Sequence, residues 1–162
     1  MTIGTIRELG AEHKTVLLRL DLNSPIDPAS SLILDDKRFR EHIPTIKALA
    51  GSRTVIVTHQ SRPGKKDFTT LEAHAEKLSQ LLGTPVTYVD SIFGRHAKDA
   101  IRAMKVGDVV MLENVRFNAE ENLTLKPEDA KKTHLVKQLA SMADVFVNDA
   151  FGTAHRSQPT VV

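Results

Sequence analysis

Cysteine is missing altogether from the 162 residues, which excludes disulfides and thiol chemistry and fits a reducing compartment. No apolar run approaches the length of a membrane span, and Met1 to Glu8 lacks the apolar core of a signal segment. The expectation is a cytoplasmic protein with no membrane partner. An excess of one charge sign is also lacking: 22 Lys and Arg against 20 Asp and Glu leave +2, so no global field points to nucleic acid. With a single tyrosine there is little for bases to stack on. The eight glycines form neither G-x-G-x-x-G nor G-x-x-x-x-G-K-[ST], so no familiar nucleotide loop is present. The seven histidines lack metal-ligand spacing, and no G-x-S-x-G elbow occurs.

What is there is an ordinary globular composition, 41% hydrophobic and 26% charged, with length for one domain, residues 1–162, and a real core. Short β-branched runs end abruptly in polar turns. Val16-Leu17-Leu18 continues through Arg19 and Leu20 toward Asp21-Leu22-Asn23-Ser24-Pro25. Thr54–Thr58 runs into His59-Gln60-Ser61-Arg62-Pro63-Gly64. Val86–Val89 follows, then Val109–Leu112 running into Glu113-Asn114-Val115-Arg116-Phe117, and Val145–Val147 stopping at Asn148-Asp149. Such runs read as buried strands of about five residues.

Between them lie helical patterns. Phe39, Ile43, Ile46 and Leu49 fall at helical spacing with Asp35 or Asp36 as cap; Pro44 implies a start near His42 or a kink. Thr69-Thr70-Leu71-Glu72 reads as a capping box, opening a helix with Leu71, Ala75, Leu78 and Leu82 buried and Gly83 beyond its end. Another covers roughly Arg95–Met104. Pro127 starts a last helix burying Leu135, Leu139 and Met142. Helices of about ten to sixteen residues are expected. The order β-α-β-α-β-α-β-α-β predicts an α/β fold: a three-layer αβα, Rossmann-like parallel sheet. The segment Thr160-Val161-Val162 reads as an apolar run just begun, as though the chain were cut there.

In a parallel sheet the strand ends share one edge, where open α/β sheets bind ligands. Collected there are Arg19, Asp21 and Asn23; His59 and Arg62; Arg116; and His155 with Arg156, with Arg38 opening the first helix toward the same edge. Singly, each arginine reads as a solvated charge, and Arg38 could merely pair with Asp35, Asp36 or Glu41. Together they suggest guanidinium forks for a ligand carrying carboxylate and phosphate. Glu120-Glu121 and Asp35-Asp36 sit where solvated turns or helix caps belong. The residue pattern by itself reaches an anion-binding α/β domain and stops short of an enzyme.

Five collinear stretches resemble the N-terminal domain of the phosphoglycerate kinase family: Arg19-Leu20-Asp21-Leu22-Asn23-Ser24-Pro25; Arg38 with Ile43-Pro44-Thr45-Ile46; His59-Gln60-Ser61-Arg62-Pro63; Leu112-Glu113-Asn114-Val115-Arg116-Phe117; and Asn148-Asp149-Ala150-Phe151-Gly152-Thr153-Ala154-His155-Arg156. The resemblance spans nearly the whole chain. It implies half of a two-domain kinase that moves a phosphoryl group between ATP and 3-phosphoglycerate, with 1,3-bisphosphoglycerate as the other partner. Carried onto this sequence, Arg62, Arg116, Arg156 and His59 would bind the substrate phosphate. Asp21 and Asn23 would orient its hydroxyl and carboxyl end, and Arg38 would face the carboxylate and the group in flight. Arg19 and His155 would belong to the patch or support it. MgATP or MgADP would be bound by a C-terminal domain absent from this chain, leaving the fragment inactive alone.

Two departures stand out. The family commonly has His-Leu-Gly-Arg-Pro where this chain has His59-Gln60-Ser61-Arg62-Pro63, and often another histidine where Gln158 stands; both resemble the archaeal form. The rival reading is a stand-alone phosphate-ester binding module.

Overall fold

A computed structural model describes residues 5, 6, 8–153 and 157–161. Five strands, β1 (Thr15–Arg19), β2 (Arg53–Val57), β3 (Val86–Val89), β4 (Val109–Leu112) and β5 (Val145–Asn148), form one sheet in the order β3-β4-β2-β1-β5. Every pairing is parallel. The helices are α1 (Lys37–Ala48), α2 (Glu72–Leu82), α3 (Arg95–Ala103), α4 (Pro127–Ala130) and α5 (His134–Ala140). The three-layer α/β arrangement read from the sequence is the one observed.

Connection direction decides which face each helix covers. The chain steps one way across the sheet from β1 to β2 to β3, then back from β3 to β4 to β5. Right-handed crossovers therefore put α1 and α2 on one face and α3 to α5 on the other. Strand alternation supplies both cores. Phe39, Ile46, Leu71 and Leu78 pack with Val16, Leu18, Ile56 and Met111, while Ala97, Ile101, Leu135 and Leu139 pack with Leu17, Val55, Val57 and Leu112. Neighbours β2 and β4 thus send their loops to opposite faces, which opens a crevice between their carboxyl ends.

Several local expectations are corrected. The first strand ends at Arg19 rather than running on to Asn23. Helix α1 starts at Lys37 and contains Pro44, so the start near His42 does not hold. Pro44 lies on the exposed face, where water can serve the Arg40 carbonyl it cannot bond. The Asp36 side chain makes no cap bond; the Asp35 carboxylate accepts from the Lys37 N–H at 2.8 Å.

The capping box does not form, because the Leu71 N–H donates instead to the Glu113 carboxylate at 3.0 Å. Leu82 is only half-buried, whereas Gly83 does end α2 at φ 72°, where a side chain would be strained. The last helical region is two short helices, the second capped by Thr133, whose hydroxyl accepts from the Val136 N–H. β5 is an edge strand with Phe146 45% exposed, not a fully buried one.

Candidate functional site

The carboxyl edge is built as a buried floor beneath an exposed rim. The loops leaving β1, β2 and β4 are tied together by side chains that replace the ladder where the strands stop. Thr58 Oγ1 accepts from the Leu22 N–H at 3.1 Å. The Gln60 carboxamide meets the Ser24 backbone twice, accepting from its N–H at 3.2 Å and donating to its carbonyl at 3.0 Å. Asn114 donates to the Gln60 and Thr69 carbonyls at 3.0 and 2.9 Å. Glu113 bonds the Leu71 N–H and the Tyr88 hydroxyl, and burial with that carboxylate raises the Tyr88 pKa.

Arg19 belongs to the floor, not to a loop. It is wholly buried as the last residue of β1. Its Nε donates to Thr160 Oγ1 at 2.9 Å, and its Nη2 lies 3.1 Å from His59 Nδ1. A guanidinium cannot accept, so Nδ1 of His59 is the acceptor. Glu121 stands 3.8 Å from Arg19, equally buried, and takes two bonds from Thr160, at 3.0 and 2.6 Å. Burial pushes the Glu121 carboxyl pKa up, with Arg19 and Thr160 opposing; burial also lowers that of Arg19, opposed by Glu121 and Asp21. The expectation that Glu121 is a solvated turn residue is therefore corrected. Its neighbour Glu120 is a cap, accepting from the His134 and Leu135 N–H groups at 3.2 and 2.7 Å.

Above this floor, Asn23 Oδ1 accepts from the Ser61 N–H at 2.7 Å, fixing the loop that carries the exposed Arg62. Arg62 forms no ion pair among the described residues. Arg116 lies buried in the 3-10 helix Val115–Phe117 and donates to the Ser61 carbonyl. The structure thus ties Asn23 and Arg116 to the loop that carries Arg62, with His59 buried on Arg19 at the root of the same loop.

Arg38 reaches the same edge from α1. Its side chain is 47% exposed, and it pairs with the buried carboxylate of Asp21, not with Asp35, Asp36 or Glu41. Asp36 is already engaged by Arg40 through two bonds of 2.9 Å. Gly152 backs Asp21 so closely that a Cβ there would stand 3.2 Å from its carboxylate. His155 and Arg156 lie outside the described residues. Gln158 is half-buried, and its Oε1 has no hydrogen-bond partner among them.

Sequence reasoning missed His42 and His74. His42 sits one turn beyond Arg38; its Nδ1 is 2.8 Å from the Asp149 carboxylate, and its Nε2 is 3.4 Å from the Asp21 backbone N. It thereby joins the loops that follow β1 and β5. His74 is wholly buried against Gln60, 3.1 Å away, and burial lowers its pKa to about 4. The only early signal was their place on helix faces between apolar residues. Gln60, Glu113 and Asn114 lie within the strand-end motifs beside the arginines, and nothing local marks them as the groups that tie the loops together.

The model of the family Phosphoglycerate kinase matches residues 6–162. A curated phosphoglycerate kinase of Methanocorpusculum labreanum is 68% identical over 161 residues, covering 99% of this chain and 40% of that protein. The phosphoglycerate kinase of Methanothermobacter thermautotrophicus is 52% identical over 160 residues, covering 98% and 39%. Among solved structures, phosphoglycerate kinase from Pyrococcus horikoshii superposes with a TM-score of 0.95 at 46% identity, covering 99% of this chain and 40% of that one. The chain thus spans about 40% of the length of the relatives it matches.

Proposed function

Since the chain belongs to the phosphoglycerate kinase family, we propose that residues 1–162 are its N-terminal domain. Their carboxyl edge holds 3-phosphoglycerate in one direction of the reaction and 1,3-bisphosphoglycerate in the other. The observation that carries this reading is the crevice between the ends of β2 and β4. There Ser61 is gripped from two sides, its N–H by Asn23 and its carbonyl by Arg116, so that the Arg62 guanidinium stands over a fixed loop.

Arg62, Arg116, Arg156 and His59 take the substrate phosphate. Asp21 and Asn23 orient the hydroxyl and carboxyl end. Arg19 supports His59 from beneath, and His155 supports the same patch. MgATP or MgADP is bound by the C-terminal remainder of the enzyme, which completes a cytoplasmic catalyst of glycolysis and gluconeogenesis; this chain alone transfers no phosphate. In the transfer, a carboxylate oxygen of 3-phosphoglycerate attacks the terminal phosphorus of ATP, and the bond from that phosphorus to ADP breaks. The nucleophile is the substrate's own, so the protein supplies position and charge. Closure of the two halves excludes the water that would otherwise hydrolyse ATP.

The roles separate kinetically in the whole enzyme. Arg62 acts alike in ground and transition states, so Arg62→Ala mainly raises KM. Arg38 meets charge that develops during transfer, so Arg38→Ala lowers kcat by about 10²–10³, and Arg38→Lys, lacking the fork, recovers only part. A kcat within a few-fold of wild type for both Arg38 variants would sink its assignment. Saturable binding of ATP by this chain, with no response to 3-phosphoglycerate in its backbone amide shifts, would sink the substrate reading.

A further inference from the structure

At the opposite edge of the sheet, where the strands begin, β1, β2 and the ends of α3 and α5 surround a concavity of roughly 440 Å³. Thr15, Arg53, Lys98, Arg102 and Ser141 face it, and no carboxylate is among its lining residues. Arg53 opens β2 and is half-buried. Its Nε donates to Thr15 Oγ1 at 3.0 Å, which fixes the guanidinium plane, while its two terminal nitrogens donate to nothing among the described residues. Thr15 accepts that bond and keeps its hydroxyl proton to donate. Among the described residues the Lys98 ammonium bonds one neutral group, Gln138 Oε1, at 3.0 Å. Arg102 leans on Asp99 at 3.4 Å with both side chains well exposed, a contact of little energy.

The bland alternative is that cations collect here to complement the carbonyl ends of α3 and α5. That accounts for Arg102, in the last turn of α3, and for Lys98, which reaches the last turn of α5 at Gln138. It does not account for Arg53, which comes from a strand and is held with its fork unused. The neighbouring carboxylate, Asp144, is engaged by the Thr15 N–H at 2.8 Å.

We propose that this concavity is a second anion site, for a small phosphate compound carrying two or more negative charges. Arg53 grips two phosphate oxygens with its fork; Thr15 donates a third hydrogen bond, and Lys98 and Arg102 neutralise the remaining charge. The site shares no residue with the carboxyl edge and stands whether or not the substrate reading holds.

The test is a titration of this chain with inorganic pyrophosphate, followed by backbone amide shifts. Saturable changes are expected at Thr15, Arg53, Arg102 and Ser141, separable from any at Ser61 and Arg62. Arg53→Gln should weaken the first set by about tenfold or more, and Arg62→Ala should leave it unchanged. Lys98→Gln and Arg102→Gln, at positions that disturb no core contact, should each weaken it several-fold and keep the proposal testable if Arg53→Gln fails to fold. No saturable response, equal binding by Lys98→Gln and Arg102→Gln, or inorganic phosphate binding as tightly as pyrophosphate would each overturn it.

Discussion

Arg19, the last residue of β1, and Arg62, on the loop that follows β2, both stand at the carboxyl edge, yet they occupy opposite worlds. Arg19 is sealed beneath the edge with Glu121, Thr160 and His59 around it; Arg62 stands in solvent on a loop whose backbone is fixed from both sides. Arg38 lies between, half-exposed against a buried carboxylate. The difference separates two jobs that one residue type performs at a ligand edge. Floor arginines hold loops in register, and rim arginines remain available to a ligand. If that division is right, stability should depend on these residues in proportion to burial, and function should not.

The largest effect is expected on the floor. Arg19→Met keeps the aliphatic bulk but strands the Glu121 carboxylate in a dry site, which typically costs about 3–5 kcal/mol. Arg19→Met combined with Glu121→Gln should recover much of that, because the unpaired charge is then gone. Denaturant unfolding of the two variants measures both numbers. A loss below about 1 kcal/mol for Arg19→Met would put Arg19 on the rim in energetic terms and dissolve the distinction.

A second floor residue gives a pH signature. His74 titrates near 4 in the folded chain against an ordinary 6.5, so the unfolded chain binds its proton first as pH falls. The stability due to neutral His74 is complete above 6.5, declines as pH drops toward 4, and is lost no further below that. The amplitude is about 3 kcal/mol. Glu121 titrates with the opposite sign, its raised pKa favouring protonation in the folded state, so the comparison must be between variants rather than of one curve. His74→Gln, which can still donate to Gln60, should unfold with a shallower pH dependence between 6.5 and 4. Parallel curves for the two proteins in that window would remove His74 from the floor.

Much of the frame was legible because it is written locally. Apolar runs ending at Asp21, His59 and Glu113 marked strands buried on both faces, which have no other way to stop, and the run ending at Asn148 marked the edge strand beside them. The floor was not legible, for a physical reason: its partners are far apart in sequence. Arg19 meets Thr160 across 141 residues, and Leu71 finds its N–H acceptor 42 residues away in Glu113. That distant carboxylate serves the start of the helix in place of Thr69, although the local pattern fits a cap there. Glu121 looked like half of a solvated acidic pair for the same reason. Local pattern reads where a polar residue stands along the chain, not how deeply the fold will bury it.

The rim sets the smaller effects. Arg38→Ala removes the cation beside the mostly buried Asp21 carboxylate, but the arginine itself is 47% exposed, so water screens what is lost. About 1 kcal/mol of stability is expected, well below the Arg19 value and distinct from the catalytic loss proposed for the same residue. Arg62→Ala comes last. With no ion pair among the described residues and a loop held by Ser61 rather than by its own side chain, it should leave unfolding within about 0.5 kcal/mol of wild type while weakening the 3-phosphoglycerate binding proposed for this edge. Those two readouts together locate the residue: loss of affinity at unchanged stability is what an available guanidinium produces. A drop in stability comparable to that of Arg38→Ala would mean that Arg62 holds its loop, and it would then join Arg38 between floor and rim.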